Sequence, residues 1–206
     1  MKRLTLIPVA LLALSLAAFT PVSAPDPIKI GDALPNETLK MKDVSGRQLS
    51  LKEAMKENGL LVMFSCNTCP YVVKNQTRTQ ETMNFARKYN IGVAILNSNE
   101  DKRGDDDSFE EMKQYAKDQG YTDYAYYMVD ENSKQADAFG ANRTPECFLF
   151  NKAGKLVYHG AIDDNPSDAG AVTRKHLGVA MEELYSNKEI TVKESRSVGC
   201  TIKRKS

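Results

Sequence analysis

Two cysteines separated by two residues, Cys66-Asn67-Thr68-Cys69, carry the most chemical content in this chain. That spacing lets the sulfurs reach bonding distance with little backbone strain. A cysteine attacks a disulfide as its thiolate, and a second thiol nearby resolves the mixed disulfide. Two other uses compete. A structural zinc site needs four ligands and usually takes two from a second close pair; here Cys147, Cys200, His159 and His176 all stand singly. A purely structural disulfide over so short a loop removes little chain entropy. Redox exchange is the favoured reading, with Cys66 attacking and Cys69 resolving. Thr144-Pro145 is the second informative step. It is either an ordinary strand entry, where proline is tolerated, or a cis-proline beside the cysteine pair.

The elements that must position these residues can be read along the chain. Leu60–Phe64 is a continuous apolar run of buried-strand length. A helix is expected from about Tyr71 to Tyr89. A strand end followed by a helix start adds partial positive charge and free N–H groups, which lower a cysteine pKa. Pro70 modifies this, because proline disfavours helical geometry in the residue before it and suits a first helical turn. It favours a helix that begins at Cys69 rather than Cys66, and spacing alone leaves open which sulfur is the nucleophile.

Further strands are expected at Ile91–Leu96 and Tyr124–Val129, with a hairpin from Cys147–Phe150 to Leu156–His159. A small hairpin around Ser45-Gly46 and a short helix near Leu51–Glu57 precede them. Helices are expected from Asp107 to Gly120, from Ser133 to Phe139 and from Val172 to Tyr185, and the tail from Ile190 shows no pattern. Strands alternating with helices predict an α/β fold with a mixed central β-sheet flanked by helices.

Lys2-Arg3, the apolar run Leu4–Phe19 and Val22-Ser23-Ala24 match a secretory signal over residues 1–24. The run is short for a bilayer span, so a membrane anchor is the less favoured reading. Residues 25–206 are then one exported domain, periplasmic or extracellular, where disulfides persist. The whole chain has 28 basic and 27 acidic residues; this balance excludes a strongly basic nucleic-acid binder. The acidic stretch Glu100–Glu111 and the basic stretch Lys193–Lys205 read as solvated surface.

Several stretches together resemble the thioredoxin superfamily, and within it the peroxiredoxin-like redoxin proteins. They are Phe64-Ser65-Cys66-Asn67-Thr68-Cys69-Pro70-Tyr71-Val72, Asn97-Ser98-Asn99, Thr144-Pro145-Glu146-Cys147-Phe148-Leu149-Phe150, Leu156–Gly160 with Asp163-Asp164, and Gly199–Lys203. The resemblance covers about Ile30 to Lys205. It implies a thioredoxin-like fold, a cis Pro145 packed against the pair, and a Thr144 backbone that presents an extended substrate peptide. Disulfide exchange on exported proteins, the leading functional reading, has protein thiols or disulfides as partners and a membrane-linked redox partner to recycle the pair. No cofactor or metal is implied. The chain departs from the family in having Ser65 where a tryptophan is usual, and no acid within Leu60–Phe64.

Two other functions are weighed. A thiol peroxidase would use Cys69-Pro70 as the peroxidatic step, with Cys66 resolving the sulfenic acid and Arg143 as a candidate cation. A copper-binding assembly factor would need a well-placed histidine; His159 reads as a surface residue, and His176 lies on the last helix. Cys147 reads as a small core residue. Cys200 is open between a resolving thiol, an intermolecular partner, an inert residue and a disulfide partner of Cys147.

Overall fold

The computed structural model describes residues 26–121 and 124–205. The signal read at residues 1–24 lies outside them. A small hairpin of β1 (Met41–Lys42) and β2 (Gln48–Leu49) leads into a single helical turn, α1 (Leu51–Ala54). Ser50 caps that turn. Its hydroxyl accepts the Glu53 N–H, and the Glu53 carboxylate accepts the Ser50 N–H, a reciprocal arrangement that satisfies two otherwise orphaned donors.

The central sheet contains β3 (Leu60–Ser65), β4 (Gly92–Asn97), β5 (Tyr126–Val129), β7 (Glu146–Phe150) and β8 (Leu156–Gly160); β6 (Arg143–Thr144) lies outside it. Its strand order is β5-β4-β3-β7-β8, with β3, β4 and β5 mutually parallel and β7 antiparallel to both of its neighbours, β3 and β8. β3 is therefore central and covered on both faces. This explains its unbroken apolar run, because a doubly covered strand needs no polar alternation.

Alternate side chains divide into two cores. Leu61, Met63, Val93, Ile95 and Leu149 pack with residues of three helices: α3 (Gln76–Lys88), α4 (Phe109–Asp118) and α6 (His176–Tyr185). Leu60, Val62, Phe64, Leu96 and Phe148 pack on the other face with α1 and α5 (Lys134–Phe139). There Phe64, Phe139 and Phe148 meet edge to face at centroid distances of 5.2 to 5.7 Å.

The long helix expected over 71–89 is two helices, α2 (Pro70–Lys74) and α3, parted at Asn75. The Asn75 side-chain amide donates to the Tyr71 carbonyl at 2.7 Å, and such local side-chain bonding competes with the helical ladder. α6 begins at His176, not at Val172, because Asp164 accepts the N–H groups of Thr173 and Arg174 and holds that stretch outside the helix. The expectation of a patternless tail is also corrected. Cys200–Thr201 forms a strand, β9, antiparallel to β6.

Candidate redox site

β3 ends at Ser65, next to Asn97 at the end of parallel β4. Phe64 faces Glu146 at the start of antiparallel β7. Register alone thus gathers Cys66, Asn97-Ser98-Asn99 and Thr144-Pro145 at one end of the sheet. The Thr144–Pro145 peptide bond is cis.

Cys69 is the cap residue of α2 and Pro70 its first helical residue. Cys66 lies a turn earlier, outside the helix. It is 2% exposed and Cys69 is 5% exposed. Burial is the main effect on Cys66, and it pushes the thiol above its ordinary value, with the nearby Asp107 adding to the rise. The Thr144 hydroxyl, 3.5 Å from the sulfur, and the N–H groups of Cys69 and Thr68 act in the opposite direction. The helix starts at Cys69, as Pro70 predicts from the sequence, so its N-terminal dipole lies one turn beyond Cys66.

Cys69 is bonded to Cys200, with the two Cα atoms 6.1 Å apart across a sequence separation of 131. Cys66 and Cys147 are free thiols. The bond present is therefore not the Cys66–Cys69 bond, and Cys147 does not pair with Cys200. Cys147 is fully buried, and burial holds its thiol far above the usual range, which fits an inert core residue. The Cys69 sulfur is also 3.2 Å from the Thr144 carbonyl oxygen. Thr144 thus touches both cysteines, with its hydroxyl at Cys66 and its carbonyl at Cys69.

Cys200 is carried to this position by a tail bound along its length. His159 exchanges main-chain hydrogen bonds with Lys193 and Ser195. Ser195 passes so close to Gly160 that a Cβ there would lie 2.5 Å from the Ser195 carbonyl oxygen, and Gly160 has φ 147; only glycine tolerates both conditions. Beyond Cys200, Ile202 donates to the Asn142 carbonyl at 3.1 Å, and the Lys203 carbonyl accepts from Asp101 at 3.0 Å. The Lys203 N–H donates to Asn99 Oδ1 at 2.8 Å.

A buried polar network supports the Cys66 turn. Asp107 is fully buried. Its carboxyl accepts the Asn67 N–H at 2.9 Å, the Asn97 amide at 2.7 Å and the Asn99 amide at 2.9 Å. Tyr127 donates to Asn67 Oδ1 at 2.8 Å. Burial raises the phenols of Tyr115, Tyr121 and Tyr127, each with Cys66 as an interacting charge. The reading of Glu100–Glu111 as solvated surface is thus corrected at Asp107. An acid does stand near the cysteines, delivered by the start of α4 rather than by β3.

Glu146 fixes the approach to Pro145. One carboxylate oxygen accepts the N–H groups of Asn142 and Arg143, at 2.8 and 2.9 Å. The other meets His159 Nε2 at 2.8 Å. His159 stacks on Phe148, so it is a half-buried partner of Glu146 rather than a surface residue. Arg143 is exposed and donates to the Thr201 hydroxyl at 3.0 Å. Among the described residues, no three His, Cys, Asp or Glu side chains converge as a metal site would require.

Cys200, Asp107 and Tyr115 were absent from the sequence-derived site. The Gly199–Lys203 resemblance was the only signal for Cys200. Nothing marked Asp107 within its acidic run.

The family model described as Redoxin matches residues 29–174. A hypothetical protein, SMc02350, from Sinorhizobium meliloti 1021 is 28% identical with a TM-score of 0.79, covering 88% of this chain and 97% of its own. An uncharacterized conserved protein from Geobacillus kaustophilus is 30% identical with a TM-score of 0.76, covering 86% and 93%. A thioredoxin-like protein solved in its oxidized form is 18% identical with a TM-score of 0.59, covering 79% of this chain and all of its own; that likeness shows the thioredoxin-like fold. No curated protein matches the chain.

Proposed function

This chain belongs to the Redoxin family, and from that premise we propose that it exchanges disulfides with protein thiols, using Cys69 as the sulfur shared by Cys200 and Cys66. The carrying observation is the convergence at Thr144: both Cys66 and Cys69 touch it, and β9 brings Cys200 against it. Two bonds to Cys69 are then available in one fold. In the internal step, the Cys66 thiolate attacks Cys69, the Cys66–Cys69 bond forms, and Cys200 leaves as a thiolate and takes up a proton. No electrons are gained or lost. In the external step, a partner dithiol reduces the bond to two thiols and itself becomes a disulfide, or the reverse.

Cys69, at the cap of α2, is the sulfur through which both bonds run, and the free Cys66 resolves it once its thiolate forms. Thr144 and Pro145 position the partner chain. The signal pattern at residues 1–24 supports an exported protein, whose pair a membrane-linked redox partner would recycle.

The test is thiol trapping at defined glutathione poise in three variants. Cys66→Ser retains Cys69–Cys200, Cys200→Ser forms Cys66–Cys69, and Cys69→Ser forms neither and loses exchange activity. Full exchange activity in Cys69→Ser would remove the proposal.

The Cys69–Cys200 bond also favours a second reading, thiol peroxidase. The Cys69 thiolate would take one oxygen from a hydroperoxide, releasing the alcohol, and the resulting sulfenic acid would condense with the Cys200 thiol, releasing water. This replaces Cys66 with Cys200 as the resolving residue. Peroxide consumption by the reduced protein, lost in Cys69→Ser, separates this reading from exchange alone.

A further inference from the structure

We propose that Gly199–Lys203 is a built-in occupant of the docking edge for partner chains, and that accepted partners share its pattern: glycine, cysteine, any residue, then an aliphatic residue. This rests on the exchange reading above and names the substrate class of that site.

The β6 edge can pair with one strand, and β9 occupies it with Cys200 opposite Thr144 and Thr201 opposite Arg143. A partner cysteine that reaches Cys69 by the same route must replace this strand. Strand addition of that kind draws affinity from main-chain bonds and specificity from alternate side-chain positions. The tail shows what each position tolerates.

The residue before the cysteine meets backbone. A Cβ at Gly199 would lie 2.1 Å from the Thr144 carbonyl oxygen and 2.7 Å from its carbon. Neither atom can yield, because the same carbonyl carries the contact to Cys69. Any side chain there lifts the cysteine away from Cys69. The residue after the cysteine faces outward: Thr201 is exposed, and its hydroxyl accepts from the Arg143 guanidinium. The next residue returns to the protein side, as strand alternation requires. Ile202 is 3% exposed and joins the core cluster of Phe139, Ala141 and Phe148. The position after that is exposed and is held through its main chain, by Asn99 and Asp101, so its side chain is not selected. Cys66 stays free beside Cys69 and can resolve the mixed disulfide that such a partner forms.

The experiment uses the full chain with Cys66→Ser and Cys200→Ser, which leaves Cys69 as the reactive thiol and traps the mixed disulfide. The probes are heptapeptides Ser-Val-Gly-Cys-Thr-Ile-Lys whose cysteine carries a thionitrobenzoate cap. The Cys69 thiolate attacks the peptide sulfur, the Cys69–peptide bond forms, and thionitrobenzoate leaves as a coloured thiolate. The tail competes equally with every peptide, so ratios of rates report recognition. Replacing the peptide glycine by alanine, or the isoleucine by aspartate, slows release by at least about tenfold, while replacing the threonine leaves it unchanged. Equal rates for all peptides overturn the proposal. A Cys69 that fails to react even with a small aromatic disulfide overturns the exchange reading instead. Independently, Gly199→Ala in the otherwise native chain shifts the Cys69–Cys200 bond toward reduction by glutathione by about tenfold or more; an unchanged equilibrium also overturns the proposal.

Discussion

Trapping the disulfide in each of its two positions gives a stability difference that can be calculated from loop length. Cys66→Ser leaves Cys69–Cys200, which closes a separation of 131 residues. Loop-closure entropy for that length removes about 5 kcal/mol from the unfolded state at room temperature. Cys200→Ser leaves Cys66–Cys69, three positions apart, and the same relation gives about 1.6 kcal/mol. Oxidised Cys66→Ser is therefore expected to be about 3 kcal/mol more stable than oxidised Cys200→Ser. If the second variant stays a dithiol, the gap widens to about 5 kcal/mol. For a domain of this size, the smaller gap corresponds to roughly 6–12 °C in Tm. Urea unfolding of both proteins, with the bond in each verified by thiol titration, measures the gap, and dithiothreitol should remove most of it. Equal midpoints under oxidising conditions, unmoved by reduction, would refute a native Cys69–Cys200 bond.

Three further outcomes follow from the site and its surroundings. Cys66 holds its proton more tightly when folded than when unfolded, so the native state binds more protons than the unfolded state and stability falls as pH rises past the ordinary thiol value. In Cys69→Ser, alkylation of Cys66 at neutral pH should accordingly be slower than that of a free cysteine, and should accelerate only in alkali. Asp107→Ala leaves the donors of Asn67, Asn97 and Asn99 without their buried acceptor; a loss of about 3 kcal/mol or more is expected in urea unfolding. Arg78 and Asp163 form a buried ion pair at 2.8 Å. Asp163→Ala should cost about 3–5 kcal/mol, and Arg78→Met with Asp163→Leu should recover most of it, as measured by thermal unfolding.

Much of the scaffold was legible because its signals are local. A continuous apolar run of strand length suits a doubly covered strand, and Leu60–Phe64 lies in one. Asn151-Lys152-Ala153-Gly154 between two apolar runs can hardly avoid being a hairpin. Pro70 correctly shifts the helix start to Cys69. The parts that escaped are set by distance or by a single side chain. Cys200 reaches Cys69 across 131 residues on a strand of two residues, too short for any periodicity to show. Asp107 is one acid among several, and only the packing of the α4 start beneath the Cys66 turn makes it different. The helix break at Asn75 depends on one amide finding the Tyr71 carbonyl. His159 appeared isolated because its partner, Glu146, lies on the neighbouring strand.

The bond between Cys69 and Cys200 also makes the oxidised chain a covalent ring, with the segment before residue 69 and the last few residues as its two free ends. The ring contains β4 to β8, α2 to α6 and the exposed stretch Ser167–Ala171. A protease that cuts within that stretch opens the ring without separating the pieces. The nicked protein keeps its full mass on a gel run without reductant and falls into two fragments once a thiol is added. A cut ahead of Cys69, outside the ring, releases a fragment under either condition.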